Sequence, residues 1–542
     1  MPNVREVTYQ LFRDLGLTTM FGNPGSTEEP FLKNFPSDFR YVLALQEASA
    51  VAMADGFAQA TGRPALVNLH TAAGTGNAMC SILTALKNKT PLIITAGQQT
   101  REMILIEPYL TNVDATTVPR PFVKWAYETV RANETPDAIM RAYATALQPP
   151  AGPVYLSLPL DDWEKPCDSP AVVRTVSSRV APDLARVKEF ARKLAQARSP
   201  VLIYGPDVDR SGGWKEAVAL AEALGATVWA APAPERVPFP ENHPLYAGGL
   251  PWAIGPLSKK LEGYDVALVV GAQVFRYYPY APGAYIPKGL QLLHISGDPM
   301  ETARAPVGDS MLGDPALSMT ALLDVLAVQK PKGGQAREKI GHRMAAHPPA
   351  APTAQKSGVL TAAQLFTALN EIRRPHAILV EESPSNDAAL HAAWPLTEPG
   401  SYFTMASGGL GWDVPAAVGI ALGERESGQN RPVVAVIGDG SFQYSVQAIY
   451  TAARQQLPVL YVVPDNGEYG VLKAFAQYEQ TPGVPGLDLP GIDIVSLAAG
   501  YGCDATRVQD IAGFKKAAAG AWTKKKPTVV VVPIAREVPP LL

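Results

Sequence analysis

The chain has 542 residues, 47% of them hydrophobic, which is enough for about three domains of ordinary size, each with its own core. Its 47 basic and 50 acidic side chains leave a net charge of −3, so it offers no basic face for nucleic acid and no polybasic stretch for a membrane surface. Cys80, Cys167 and Cys503 lie far apart without CxxC spacing, which excludes a disulfide framework or a thiolate metal site and leaves them as small buried apolar residues.

Arg5, Glu6, Arg13 and Asp14 interrupt the stretch where a secretory signal would need an apolar core. No segment approaches the roughly 20 apolar residues of a membrane span. The expectation is a cytoplasmic protein that takes a small, anionic ligand.

Short apolar runs alternate with helix-like segments, beginning with YVLAL (41–45), PALVNL and PLIITAG (91–97). They continue through VLIYG (201–205), VALVVGA (266–272), LQLLHIS (290–296), VVAVIG (433–438), VLYVV (459–463) and TVVVVP (528–533). Continuous β-rich runs separated by helices predict parallel sheets covered on both faces. Aperiodic stretches rich in Pro, Ala, Lys or Ser at 163–179 and 329–358 read as linkers. The predicted fold is α/β, with three doubly wound domains at 1–165, 180–330 and 358–542 and no sequence repeat among them.

In doubly wound sheets, ligands sit beyond the carboxyl ends of the strands. The turn FGNPGS (21–26) follows a short TTMF run and presents Asn23, Pro24, Gly25 and Ser26; Glu47 follows YVLAL, and His70 follows PALVNL. Taken one at a time, a turn serine, a carboxylate at a helix start and a histidine bonded to a carbonyl are the readier explanations.

The C-terminal part is more specific. VVAVIGDGS ends a strand at Gly438, Asp439, Gly440 and Ser441, a helix is predicted from Gln443 to Arg454, and VLYVVPDNGEYG follows. A strand–helix–strand crossover returns the second strand parallel to the first, so Asp439 and Asn466 emerge at one sheet edge. A carboxylate, an amide oxygen and a backbone carbonyl are hard ligands suited to Mg²⁺ that keeps positions free for phosphate oxygens. The glycines and a helix start add N–H donors for the anion. No GxxxxGK[ST] and no GxGxxG at a β–α turn is present, so the spacing points to a metal-bridged diphosphate rather than a nucleoside triphosphate.

An early strand-end glutamate paired with a late GDG…N segment resembles the thiamine diphosphate-dependent enzymes, over essentially the whole chain. Within them, FGNPGSTEEPFLKNFPSDFRYVLALQEA, NLHTAAGTGNAM, AGQQTR, LTNVDA, GPVYLSLPLDDW, GGLGWDVPAA and VPGLDLPGID resemble the benzoylformate decarboxylase branch of the 2-oxo acid decarboxylases. That resemblance implies pyrimidine-binding, middle and diphosphate-binding domains, with active sites formed between two chains of a homodimer or homotetramer. It implies decarboxylation of an aromatic or branched 2-oxo acid to an aldehyde, with carboligase side activity.

By the same resemblance, Glu47 bonds the aminopyrimidine of thiamine diphosphate, near Asn23, Pro24 and Gly25. The Gly408 carbonyl receives its amino group, and Leu410 wedges it into a bent shape. Asp439, Asn466 and the Glu468 carbonyl hold Mg²⁺, or Ca²⁺ in its place, while Gly438, Ser441, Tyr444, Tyr469 and Ser385 surround the diphosphate. Ser26 and His70 match a substrate-contacting pair, with His70 moving protons; Leu110, Thr404, Met405, Val471, Phe475 and Leu487 fall at pocket positions.

One position departs from the family. FRYYPY puts Tyr278 where relatives carry a second histidine. A phenol with an ordinary pKa of about 10 is a poor mobile acid near neutrality, so Tyr278 either slows aldehyde release and favours carboligation or is only a pocket wall. His243, His294, His342, His347, His376 and His391 lie outside these motifs. Some family members bind flavin or ADP in the middle domain, which GPDVDRSGG and HISGDP do not compel. Two other readings stand beside the decarboxylase: a dedicated carboligase of the acetolactate synthase type, and a noncatalytic cofactor-binding regulator, against which Glu47 and the complete GDG…N pair argue.

Overall fold

The computed structural model describes residues 1–168, 171–329 and 358–541. The linker expected at 329–358, with His342 and His347, falls outside these residues except at its ends. At the other expected linker, Trp163 is instead buried and stacks on Phe31 with ring centroids 4.3 Å apart. The chain there is still finishing the first core.

The expected architecture is present as three six-stranded sheets. The first contains β1 (Thr19–Gly22), β2 (Arg40–Leu43), β3 (Ala65–Leu69), β4 (Leu92–Gln98), β5 (Ala126–Glu128) and β6 (Val154–Pro159), in the order β2-β1-β3-β4-β6-β5. The second contains β7 (Pro200–Tyr204), β8 (Thr227–Ala230), β9 (Tyr246–Gly249), β10 (Val266–Val270), β11 (Gln291–Ser296) and β12 (Asp309–Leu312), ordered β12-β11-β10-β7-β8-β9. The third contains β13 (Ile378–Glu382), β14 (Tyr402–Phe403), β15 (Val433–Ile437), β16 (Leu460–Asp465), β17 (Asp504–Arg507) and β18 (Thr528–Pro533), ordered β14-β13-β15-β16-β18-β17.

Strand pairs are parallel in each sheet. Every residue of β3, β4, β6 and β15 is buried, as the unbroken apolar runs require of strands covered on both faces. The first and third sheets share one strand order although their sequences show no repeat. The middle sheet has a different order, the one associated with dinucleotide-binding folds.

The first and third domains meet through the helices Glu47–Thr61 and Asp413–Glu426. A Cβ on Gly419 would lie 1.8 Å from the Met53 carbonyl oxygen, and one on Gly56 would lie 2.3 Å from that of Ala416. The backbones touch, and only glycine permits that approach. Trp412 donates its indole N–H to buried Asp55 across the same seam at 2.7 Å.

The first and middle domains are tied by charge. Lys89 reaches Asp207 at 2.6 Å and Glu301 at 2.9 Å, with Asp298 at 4.0 Å. Arg210 bridges Asp207 and Glu235, each at 2.7 Å. Among the described residues no helix is long and apolar enough to cross a membrane.

Candidate active site

The residues singled out in the sequence gather at the switch points of the outer two sheets, where the strand order reverses and a crevice opens. In the first sheet this lies between β1 and β3. The turn after β1 carries Asn23 to Ser26, and His70 directly follows β3.

Glu47 opens its helix, and Gln46 caps that helix by accepting from the Ser49 amide at 3.1 Å. The Glu47 side chain is therefore free of capping duty. Its carboxylate is buried and accepts from Asn23 Nδ2 at 3.1 Å and Asn77 Nδ2 at 3.0 Å. Two neutral amides aim the carboxylate without neutralising it. Ser26 and Pro24 are exposed on the neighbouring turn.

His70 is held by a residue that sequence reasoning missed. Its Nδ1 lies 2.9 Å from Glu28 Oε2 and 3.2 Å from Thr27 Oγ1. Glu28 is almost wholly buried, and its other oxygen accepts from the Gly97 amide at 2.8 Å, Thr27 Oγ1 at 2.7 Å and the Thr71 amide at 3.4 Å. An ionised carboxylate only accepts, so Nδ1 carries the hydrogen and Nε2 is left to exchange a proton. Thr71, next in the chain, has φ +39°, strained for a β-branched residue. Gly25 completes the fit, since a Cβ there would lie 2.0 Å from His70 Nδ1.

In the third sheet the switch point lies between β13 and β15. The helix predicted at 443–454 starts instead at Asp439, runs to Gln443, breaks, and resumes at Ala448–Arg454. Asp439 thus sits at a helix start, with Oδ2 accepting from the Gly467 amide at 2.8 Å. Burial, and then Asp465, push its carboxyl up to about 7. It is an acid without a counter-charge.

Asn466 Oδ1 accepts from the Glu468 amide at 3.1 Å. The bridge between Glu468 and Asp488 uses the Tyr469 amide and the Gly467 carbonyl, leaving the Glu468 carbonyl outside the pairing. The Glu468 carboxylate is engaged by Lys473 through one oxygen, while the other is buried without a hydrogen-bond partner among the described residues. One carboxylate, one amide oxygen and one free carbonyl form the hard donor set Mg²⁺ takes, and the uncompensated Asp439 gives a cation its reason to bind. Among the described residues no three His, Cys, Asp or Glu side chains cluster as a metal site; this set contains only one of them.

Around it, Ser385 Oγ accepts from the Val471 amide at 2.9 Å, Tyr469 bonds Leu487 through its amide, and Ser441 is buried. Gly408 and Gly411 have φ of +76° and +100° on either side of Leu410. Thr404 donates to the Glu381 carbonyl at 2.6 Å, and Met405 packs on the shared core. Val471 and Phe475 lie on the Gly470–Tyr478 helix, where the exposed Tyr278 ring stands 4.8 Å from that of Phe475. Leu110, at φ +67°, follows the exposed side chain of Tyr109. Cys167 and Cys503 are buried as expected; Cys80 is exposed, with Sγ 3.1 Å from where a Cβ on Gly409 would sit.

The structure therefore assembles two half-sites. Asn23, Gly25, Glu47 and His70 form one; Ser385, Asp439, Asn466, Glu468, Tyr469, Val471, Phe475 and Tyr278 form the other. Within the chain, no hydrogen bond among the described residues joins Glu47 or His70 to the second set.

Family models agree with this layout. Residues 2–117 match the N-terminal TPP binding domain of thiamine pyrophosphate enzymes, 187–322 their central domain and 385–532 their C-terminal TPP binding domain. The chain is 44% identical to benzoylformate decarboxylase of Pseudomonas aeruginosa over 98% of its own length and 99% of the relative's. It superposes on the crystal structure of benzoylformate decarboxylase from Polynucleobacter necessarius with a TM-score of 0.95 and 51% identity, all of both chains being covered. A thiamine diphosphate-dependent 4-hydroxybenzoylformate decarboxylase of Rhodococcus jostii RHA1 matches with a TM-score of 0.92 and 41% identity, over 99% of each chain.

Proposed function

The chain belongs to the thiamine pyrophosphate enzymes and, within them, to the benzoylformate decarboxylase family, and we propose that it removes CO₂ from an aromatic or branched 2-oxo acid to give an aldehyde. The observation that carries this reading is Glu47: a buried carboxylate held by two amides in the pyrimidine half-site, where binding alone would not call for a charge.

Thiamine diphosphate, when bound, supplies an acidic ring carbon that adds to the ketone and an electron sink for the departing carboxylate. Glu47 would bond its pyrimidine ring, the Gly408 carbonyl and Leu410 would fix its bend, and Gly438, Ser441, Tyr444, Tyr469 and Ser385 would surround its diphosphate. Asp439, Asn466 and the Glu468 carbonyl would hold Mg²⁺, or Ca²⁺.

Ser26 would donate to the substrate carboxylate. His70, with Nδ1 bonded to Glu28, would use Nε2 to move the proton that replaces CO₂. Leu110, Thr404, Met405, Val471, Phe475 and Leu487 would wall the substrate, Tyr278 standing against Phe475. Their apolar surface destabilises the carboxylate beside the reacting carbon and favours its loss.

A homodimer is the minimum assembly in this reading, because the family forms its active sites between two chains; a homotetramer of cytoplasmic protein is the full expectation. Carboligation is a side activity, promoted by the phenol at Tyr278 if aldehyde release is slow. The test is product analysis with thiamine diphosphate, Mg²⁺ and benzoylformate, with pyruvate and a branched 2-oxo acid in parallel. Benzaldehyde with stoichiometric CO₂ is expected; 2-hydroxy ketones or acetolactate without free aldehyde would make the enzyme a dedicated carboligase.

A further inference from the structure

Glu382 ends β13, and the segments on the diphosphate side hang from it. Its carboxylate accepts from the amides of Gly411 at 2.6 Å, Trp412 at 3.0 Å and Asp413 at 2.9 Å. These are the entry amides of the Asp413–Glu426 helix, whose N-cap Trp412 makes no side-chain cap bond. A helix start usually finds its acceptor in a neighbouring Ser, Thr, Asp or Asn; here a separate strand supplies it.

The Glu382 main chain does a second task. Its carbonyl accepts from the Gly438 amide at 3.1 Å, fixing the glycine that opens the GDGS turn. The same loop carries Ser385, which holds Val471. One short strand end therefore sets the Leu410 turn, the GDGS turn and the start of the Gly470–Tyr478 helix.

Asp413 is fully buried, neither of its carboxyl oxygens accepts from an N–H or O–H donor among the described residues, and its side chain lies in hydrogen-bond contact with that of Glu382. Burial, and then the adjacent Glu382 and Glu381 carboxylates, push it well above the carboxylate range. Burial raises the Glu382 carboxyl too, to about 7, but the three amide bonds oppose that rise, so of the pair Glu382 is the one that carries negative charge at the helix start, which attracts it. The second acid beside it keeps its proton, and its hydrogen-bond contact is the Glu382 carboxylate.

We propose that Glu382 is a positioning residue for decarboxylation, holding the Gly408–Leu410 turn in the shape that receives the cofactor, with the Asp413 carboxyl as its fourth hydrogen-bond donor. This rests on the reading of the chain as a thiamine diphosphate enzyme.

The experiment is calorimetric titration of the assembled enzyme with thiamine diphosphate at fixed Mg²⁺, alongside kcat, KM and melting temperature. Glu382→Gln points an NH₂ at a backbone N–H and removes a charged acceptor, so the Kd for thiamine diphosphate rises about 10- to 100-fold. KM for the 2-oxo acid at saturating cofactor stays within about threefold of the parent, because the pocket walls are untouched.

Asp413→Asn keeps a donor and stays within about threefold of the parent Kd, whereas Asp413→Leu of similar bulk has none and weakens binding as Glu382→Gln does. This pair decides the matter if Glu382→Gln does not fold. Parental cofactor affinity in Glu382→Gln, or equal damage from Asp413→Asn and Asp413→Leu, overturns the proposal alone. A parent chain that binds no thiamine diphosphate overturns the functional reading with it.

Discussion

Replacing Glu28 with Gln tests whether His70 is aimed or merely present. The carboxylate has two jobs: Oε1 accepts from Gly97 and Thr27, and Oε2 faces His70 Nδ1 at 2.9 Å. An amide can do only one of them. With its oxygen toward Gly97, its NH₂ meets Nδ1 and forces the imidazole into the other tautomer, putting a hydrogen on the nitrogen that should exchange protons. With its oxygen toward His70, the NH₂ meets the Gly97 N–H. Either arrangement loses one charge-assisted bond in a buried site, about 1.5–3 kcal/mol, which is about 10- to 150-fold in rate if it falls on a proton-transfer step. Glu47 has its own partners, Asn23 and Asn77, so cofactor affinity stays at the parental value. The assay is steady-state decarboxylation of benzoylformate beside a thiamine diphosphate titration. A kcat within twofold of the parent, or an affinity loss that tracks the loss of kcat, would refute the orientation argument.

Glu47→Gln is expected to lose most activity while keeping its melting temperature; near-normal turnover would sink the role given to that carboxylate. Gly25→Ala would push a methyl into the His70 ring, 2.0 Å from Nδ1, and is expected to lower kcat at least tenfold with little change in cofactor Kd; parental kcat would mean that the turn simply yields. His294, bonded to the Ala272 carbonyl and to Ser310, is pulled down to about 4 by burial. It is neutral in the folded chain, and the unfolded chain binds its proton first as pH falls. Stability from this group is therefore complete above about 6.5 and is lost toward pH 4, by about 3 kcal/mol. Urea unfolding of His294→Gln should show a correspondingly shallower acid limb, and an unchanged limb would remove His294 from the account.

The sequence carried the sheets and the strand-end residues because both depend on local pattern. Apolar runs mark strands buried on two faces, and parallel crossovers bring Asp439 beside Asn466 whatever lies between. Glu28 and Glu382 escaped for opposite reasons. Glu28 lies two residues past the FGNPGS turn, but its partner is 42 positions away, and nothing local shows that an acid in TEE is buried. Glu382 ends a strand that the apolar pattern does not mark, since ILVEE closes on two acids, and its partners are backbone amides about 30 positions on. The common strand order of the outer sheets was equally invisible, being fixed by how strands connect rather than by which residues they contain.

Lys89 gives the middle domain a different character from its strand order. At the carboxyl edge of β7, β10 and β11, which includes the switch point between β7 and β10 where such a sheet would seat a ribose or a pyrophosphate, stands an ammonium from the neighbouring domain, bound to Asp207 and Glu301. The sheet whose strand order looks most like a second binding site thus also serves as a socket for its neighbour.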